Sequence, residues 1–221
     1  MSRQSVIVNC PGWSSDGPAT REGSFCESVV RAYQAMDATA RQCIIDSSAC
    51  RRWHCLMFAE QVPLDYYAGN YRQVDADRPC LNTDVQVAGI QGVPAARVLF
   101  EVERLFAELR RHLTRFELGW ATLNPRERRT RLAIILGALI GRFIQVHPFV
   151  NGNGRISRLV WAWGLIRFNV PPQVRIRKHP EDPEYDHVMA SAMTGDFAPL
   201  ALYILEHMVV ATPPTLISPE Q

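Results

Sequence analysis

The sequence predicts a mainly α-helical protein with one small β element. Apolar residues recur with a period of about 3.6 residues over most of the chain from residue 24 onward, as in helices that bury one face. One region, 66–96, breaks this pattern with glycine, asparagine and proline, and contains two short extended candidates, Tyr71–Val74 and Asp84–Ala88. The hydrophobic content of 47% is sufficient for a core. These features predict a helical domain with a small hairpin.

Local signals predict where individual helices begin and end. Ser24 and Glu27 have the form of a capping box, so the first helix is expected to begin at Ser24. The central helix is expected to begin at Pro125, which suits a first helical turn, and to end near His147, because Pro148 disfavours helical angles for the residue before it. Its segment LAIILGALIG has few polar positions, which predicts burial on most sides. The other predicted helices are Ser48–Gln61, Arg97–Phe116, Ile156–Phe168, Asp182–Met193 and Phe197–Val210.

The chain divides into a leader, one domain and a tail. Residues 1–23 are rich in glycine, proline and serine and predict an irregular leader, 24–211 form the domain, and 212–221 form a short tail. The formal net charge of +2, without a block of like charge, indicates neither a nucleic-acid partner nor an acidic membrane. The arginine clusters at 110–115 and 126–131 are interpreted as solvated helix faces. A helical nucleic-acid-binding protein is therefore the weaker alternative.

The six cysteines all lie in the first 80 residues and show neither a CxxC pair nor zinc-type spacing with the histidines. Those in predicted helices are expected to be small buried residues. Because no signal peptide and no apolar run of transmembrane length is visible, a cytoplasmic location without membrane association is predicted. A substrate of a secretion system would have the same features.

The segment HPFVNGNGRISR, residues 147–158, carries the strongest signal for a site. Its alternating asparagines and glycines tolerate left-handed backbone angles and the close approach of a ligand. Main-chain N–H groups in such a loop can converge on an anion, and the following helix adds free N–H groups and the positive end of its dipole. This arrangement favours a phosphate site.

Two arginines at the start of the next helix strengthen this interpretation. Arg155 and Arg158 are three residues apart, which places both on one helix face. Cations in a first helical turn are disfavoured by a few tenths to about 1 kcal/mol each, so a bound, multiply charged anion explains their presence. The alternative is a plain turn between helices with surface arginines. The complete segment HPFVNGNGRISR makes this alternative less favoured.

His147 lies at the other rim of this loop. A histidine at its ordinary pKa can accept a proton from a hydroxyl at neutral pH, so His147 is a candidate general base. Phe149 is interpreted as an apolar plug that anchors the loop in the core. The remaining histidines are assigned structural roles: His54, His112, His179, His187 and His207.

HPFVNGNGR with the trailing Arg158 resembles the signature of the Fic (Fido) domain family, HPFx(D/E)GNGRxxR. FAEQVPLDYYAGNYR is similar to the segment that leads into the flap of that family, and EYDHVMASAMTGDFAPLALYI is similar to its C-terminal helices. The resemblance covers roughly residues 50–210. It implies a Fic-type helical bundle with a small β-hairpin flap.

The resemblance also implies an activity, the transfer of AMP from ATP to a serine, threonine or tyrosine hydroxyl of a target protein, with Mg²⁺ or Mn²⁺. It implies that His147 is the general base and that Arg155 and Arg158 hold the β- and γ-phosphates. The flap, about residues 71–89, would bind the protein substrate as an added strand. The implied anion-hole residues are Gly152, Asn153 and Gly154, and the implied flap contacts are Tyr71, Val74, Val85 and Val87.

One position departs from the signature, because Asn151 stands where the family carries an acidic metal ligand. An amide oxygen can bind Mg²⁺ but brings no charge. Retained transfer activity is the favoured outcome, and a weakened or inactive nucleotide-binding interaction module is the alternative. The inhibitory pattern (S/T)xxxE(G/N) has no match in the sequence, which predicts either an antitoxin-like inhibitory partner or another form of control.

Overall fold

The computed structural model describes residues 9–13, 22–172, 174, 176 and 183–208. The predicted tail, 212–221, and most of the predicted leader therefore lie outside the described residues. The helices are α1 (Glu22–Gln42), α2 (Ser47–Phe58), α3 (Ala95–Gly119), α4 (Pro125–Val146), α5 (Asn153–Arg167), α6 (Pro183–Met193) and α7 (Ala198–Glu206). Two strands, β1 (Gln86–Val87) and β2 (Ile90–Gln91), lie between α2 and α3. Short 3₁₀ turns occur at Asp65–Tyr67, Pro79–Leu81 and Trp120–Thr122.

Helix α4 is the central helix, as the sequence predicts. Asn124 forms a capping box with Glu127, and Pro125 is the first helical residue. The helix packs against α3, α5, α6 and α7, and its apolar residues lie in the main core. It ends at Val146, and the next residue, His147, caps the helix with a left-handed backbone conformation. This central packing fixes the end of α4, where the candidate site begins.

Helix α1 begins at Glu22, so the expected capping box at Ser24 is wrong. Ser24 lies inside the helix, where its carbonyl accepts a hydrogen bond from the Ser28 hydroxyl at 2.9 Å and its own hydroxyl accepts one from Gln61 at 3.4 Å. Packing of α1 against α2 and α5 stabilises the additional residues at its start. The ends of α2, α3 and α5 lie within three residues of their predicted positions.

The β element is shorter than predicted. β1 and β2 pair antiparallel, with Gln86 opposite Gln91, and Ala88 and Gly89 form the turn with positive φ angles. In the part of the chain that the structure describes, this two-stranded sheet does not include residues 71–74, so the first predicted strand is wrong. Arg72 explains the difference, because its main-chain N–H donates to the carbonyl of Pro148 at 2.7 Å instead of to a partner strand.

The four predicted flap contacts occupy different environments. Tyr71 is buried, and its hydroxyl donates to the carbonyl of Ser47 at 2.7 Å, so the structure does not place this side chain on a docking surface. Val74 is 66% exposed. Val85 and Val87 are partly exposed, on and beside β1. These three valines stay candidates for target contact.

The cysteines differ from the expectation of small buried residues. Cys50 is buried as predicted, but Cys26, Cys43 and Cys55 are exposed thiols. Cys10 forms a disulfide with Cys80, across a sequence separation of 70 residues. Sequence spacing alone does not reveal such a pairing.

Within the described residues, none of the helices combines the length and the apolar character that crossing a membrane requires. The arginine clusters of α3 and α4 are largely solvent-exposed, as predicted, including Arg110, Arg111, Arg115, Arg126 and Arg131.

Candidate functional site

Residues 147–152 form the loop between α4 and α5, and two left-handed residues define its shape. His147 ends α4 with φ 47°, and Gly152 begins α5 with φ 81°. A Cβ atom at Gly152 would lie 2.5 Å from Cε2 of Phe58, which is too close for any larger residue. Gly152 is therefore required both by its backbone angle and by the packing of α2 against the loop.

The side chain of Asn153 closes this loop. Its Oδ1 atom accepts the N–H of Phe149 at 3.0 Å, and its Nδ2 atom donates to the carbonyl of the same residue at 2.9 Å. Phe149 is fully buried, as predicted for an apolar plug. Because the amide of Asn153 is engaged inside the loop, its contribution to an anion site would come from its main-chain N–H.

His54 supports the loop from α2, in agreement with the structural role assigned to it, although nothing in the sequence indicates which groups it contacts. Its Nδ1 atom accepts the N–H of Gly69 at 2.9 Å, so Nε2 carries the proton and donates to the carbonyl of Asn151 at 3.0 Å. Its ring stacks on Phe149 with 3.8 Å between centroids. Burial lowers the pKa of His54 to about 3. The neutral ring thus holds α2, Gly69 and the loop together.

Arg72 joins the flap to the end of α4. Its side chain is fully buried and donates four hydrogen bonds of 2.8–2.9 Å, to the carbonyl oxygens of Thr83, Val93, Val146 and His147. Burial lowers the pKa of Arg72 to about 10, so the guanidinium remains charged at neutral pH. A cation at a helix C-terminus is also stabilised by the helix dipole. Arg72 lies in the segment YAGNYR, which is similar to the family pattern, but this similarity does not predict the hydrogen bonds of its side chain.

His147 has the protonation state that a general base requires. Burial, and then the positive charge of Arg72, lower the pKa of His147 to about 4, so its imidazole is neutral at pH 7. Its Nδ1 atom is buried and has no hydrogen-bond partner within 3.5 Å among the described residues, and a backbone contact with Ile144 acts in the opposite direction, toward a higher pKa. A Cβ atom on Gly92 would lie 3.6 Å from the Cβ of His147, which places the base of the flap beside this histidine.

Arg155 and Arg158 lie in the first two turns of α5, and both are buried. The guanidinium carbon of Arg155 lies 4.8 Å from the ring centre of Phe25, and that of Arg158 lies 3.9 Å from the ring centre of Tyr185. The Tyr185 hydroxyl is within 2.9 Å of the Ser157 hydroxyl. Aromatic faces thus orient both cations next to the start of α5.

Both ends of the Asn151 side chain are engaged. Its Oδ1 atom accepts the N–H of Gly152 at 2.6 Å, and its Nδ2 atom donates to the carbonyl of Trp13 at 2.8 Å. No group of three or more histidine, cysteine or acidic side chains that could hold a metal ion occurs in the described part of the chain. The protein atoms at Asn151 therefore do not fit a dedicated Mg²⁺ site.

The buried histidine under the loop makes stability depend on pH. The unfolded chain protonates His54 near pH 6.5, but the folded protein does so only near pH 3, so its contribution is complete above pH 6.5 and is lost as pH falls. The uncharged variant His54→Gln lacks this titration. The difference in free energy of unfolding between wild type and His54→Gln is expected to shrink by roughly 1.4 kcal/mol per pH unit below that point.

Urea unfolding at several pH values between 7 and 4 measures this difference. Acidic side chains titrate in both proteins and cancel in the comparison. A difference that stays constant over this pH range would contradict the assignment of a neutral, buried His54.

Comparisons with known proteins show the family of the chain and its fold. The sequence model of the Fic/DOC family matches residues 44–165. The protein adenylyltransferase Fic of Drosophila mojavensis is 34% identical over 65 residues, which are 29% of this chain and 12% of that protein. The protein of the same name from Drosophila melanogaster is also 34% identical over 65 residues, 29% of this chain and 13% of that protein. The match thus spans a small part of the length of these curated relatives.

Two solved structures share the fold. A Fic-domain-containing signalling protein from Bacteroides thetaiotaomicron superposes with a TM-score of 0.62 at 16% identity, over 86% of this chain and 70% of that chain. BepC, a VirB-translocated effector protein of Bartonella tribocorum determined with bound AMPPNP, gives a TM-score of 0.56 at 15% identity, over 87% and 88% of the two chains. These likenesses confirm the predicted fold class.

Proposed function

Because the chain belongs to the Fic/DOC family, we propose that it transfers AMP from ATP to a serine, threonine or tyrosine hydroxyl of a target protein. The observation that carries this proposal is His147, a neutral histidine at one end of a loop whose other end opens a helix with two buried arginines. A proton acceptor and a cationic phosphate site at the two ends of one short loop suit nucleotidyl transfer.

The phosphate chain of ATP would lie at the start of α5. The N–H of Gly152 donates to the Asn151 side chain, so the main-chain N–H groups of Asn153 and Gly154, together with the positive end of the helix dipole, would attract the phosphates. Arg155 and Arg158 add two charges that the surrounding aromatic rings hold in place, so little side-chain entropy is lost when they bind the β- and γ-phosphates. This placement directs the α-phosphate toward His147.

In the transfer step, the target hydroxyl oxygen attacks the α-phosphorus and its proton passes to His147. The new bond joins that oxygen to the α-phosphorus, and the bond from the α-phosphorus to the bridging oxygen of the β-phosphate breaks, which releases pyrophosphate. The two arginines and the loop N–H groups stabilise the charge that develops on the phosphates.

The target chain would dock beside the flap. β1 and β2 form a two-stranded sheet, so each strand has an edge to which an extended segment could add. The base of the flap adjoins His147, and Val74 exposes an apolar side chain nearby in sequence. These features support a protein substrate held in extended form next to the base.

The predicted Mg²⁺ or Mn²⁺ would depend on the nucleotide. Since the Asn151 side chain is engaged at both ends and carries no charge, the phosphate oxygens of ATP would provide the main ligands. An antitoxin-like inhibitory partner and a role as a toxin or effector remain part of this proposal.

The amide at position 151 favours one alternative, a nucleotide-binding interaction module without transfer activity. Parallel incubations with ATP labelled at the α-phosphate and ATP labelled at the γ-phosphate separate the two functions. Label from the α-position alone is expected on protein, because AMP transfer leaves the γ-phosphate in pyrophosphate. Label from the γ-position alone would indicate phosphoryl transfer, and binding of ATP without any labelled protein would establish the alternative.

A further inference from the structure

A short segment before α1 contacts the loop of the candidate site at Asn151. We call residues 9–13 the arm. Cys10 of the arm is exposed and is bonded through its disulfide to Cys80, whose side chain is buried in a small cluster with Tyr67 and Leu81. Trp13, at the other end of the arm, is half-buried and packs against the same cluster, which also includes Val150 of the loop. The arm is thus fastened at both ends beside the loop.

Trp13 contacts the residues that support the loop. Its ring lies edge-on to His54 at 5.9 Å and to Phe58 at 5.4 Å, and is stacked with Tyr67 at 6.0 Å between centroids. Its main-chain carbonyl accepts a hydrogen bond from the amide of Asn151 at 2.8 Å. A ligand of the Asn151 side chain would have to compete with this carbonyl.

This contact gives a physical reason for an amide at position 151. The Nδ2 atom of Asn151 donates to the Trp13 carbonyl, whereas an ionised carboxylate has no hydrogen to donate and would face the carbonyl oxygen with like charge. The residue that departs from the family signature is therefore the one that holds the arm.

Besides the ring contacts of Trp13, the hydrogen bond from Asn151 holds the arm on the loop, and the indole Nε1 atom of Trp13 is buried without a hydrogen-bond partner among the described residues. The disulfide keeps the arm at high effective concentration next to its site. Because Cys10 is exposed, a dissolved reductant can reach this bond.

We propose that the arm is a redox-operated cover of the nucleotide site, closed while the Cys10–Cys80 disulfide is intact and released when a dithiol reduces it. In this step the S–S bond breaks, the dithiol supplies two electrons and two protons, Cys10 and Cys80 become thiols, and the dithiol becomes its own disulfide. Release withdraws the Trp13 carbonyl from Asn151 and opens the loop to the phosphate chain. The inference rests on the proposed function for the identity of the ligand.

Calorimetric titration of ATP into the full chain, oxidised or reduced with dithiothreitol, tests the cover. The reduced protein is expected to bind ATP at least about tenfold more tightly, because the closed arm lowers the fraction of competent protein. Hydrogen exchange of residues 9–13 and 147–154 is expected to accelerate on reduction. Exchange requires neither ATP binding nor transfer, so a failure of the cover is distinguishable from a failure of the proposed function.

Two serine variants identify the responsible bond. Cys10→Ser is expected to bind ATP like the reduced wild type and to ignore dithiothreitol, while Cys43→Ser, which alters an exposed free thiol, is expected to respond like the wild type. Asn151→Asp removes the donor to Trp13 and is expected to speed exchange of residues 9–13 in the oxidised protein.

Equal ATP affinity and equal exchange before and after reduction would overturn the proposal. Retention of the redox response in Cys10→Ser would also overturn it, as would mass-spectrometric detection of free thiols at Cys10 and Cys80 in protein kept under an oxidant.

Discussion

Replacing His147 by alanine is expected to lower the rate of AMP transfer by about 10²–10⁴-fold, the usual contribution of a general base. The loss is expected in kcat, because the imidazole is proposed to take the proton of the target hydroxyl, whereas Arg155 and Arg158 are proposed to hold the phosphates of ATP. The dissociation constant for ATP is expected to change little. Initial rates of protein labelling from α-labelled ATP, together with calorimetric binding of ATP, measure both quantities.

His112→Ala is the matched control. His112 is exposed on α3, away from the loop between α4 and α5, and its replacement is expected to leave the labelling rate unchanged. Equal rates for wild type and His147→Ala would remove His147 from the proposed mechanism. An equally large loss in His112→Ala would attribute the effect to something other than the candidate base.

The rate of AMP transfer should also depend on pH in a way that reflects the lowered pKa of His147. Because burial and Arg72 lower the pKa of His147 to about 4, its imidazole stays neutral down to nearly that pH. A histidine with its ordinary pKa of 6.5 would lose activity as a base well above this point. The lowered pKa arises from the folded environment of His147, so the residue type alone does not predict it.

Local chemistry in the sequence predicted the central part of the fold, including the loop between α4 and α5. Pro125 and Pro148 bracket α4, and the glycine at 152 marks the turn into α5. These signals act over a few residues, so they can be recognised without knowledge of the tertiary structure. The spacing of Arg155 and Arg158 predicts neighbouring positions on α5, whereas their contacts with Phe25 and Tyr185 are visible only in the folded structure.

The parts that the sequence did not predict depend on contacts between distant segments. Arg72 bonds to carbonyl groups up to 75 residues away, and His54 to one 97 residues away. The Cys10–Cys80 disulfide and the Trp13–Asn151 contact have the same long-range character. The sequence predicted an extended strand at 71–74, but the main chain of Arg72 bonds to Pro148 and this segment lies outside the sheet.

Replacing Arg72 by methionine is expected to lower the free energy of unfolding by about 3–5 kcal/mol, the range for breaking a buried charged network. Methionine has a similar length but donates no hydrogen bonds, so the carbonyl oxygens of Thr83, Val93, Val146 and His147 would lose their donor. Arg72→Lys keeps the charge, but its single ammonium group cannot span the four carbonyls, so an intermediate loss is expected. Urea unfolding at pH 7, followed by circular dichroism, measures the change.

Arg78→Met is the matched control, because Arg78 is six residues away but its side chain is 42% exposed. It pairs with Asp75 and donates to Asn70 in contacts that are only partly buried, so its replacement is expected to change the free energy of unfolding by about 1 kcal/mol. A loss in Arg72→Met no larger than in Arg78→Met would show that the flap and the end of α4 hold together without Arg72. A large loss confined to Arg72→Met would identify this arginine as the connection that keeps the flap beside His147.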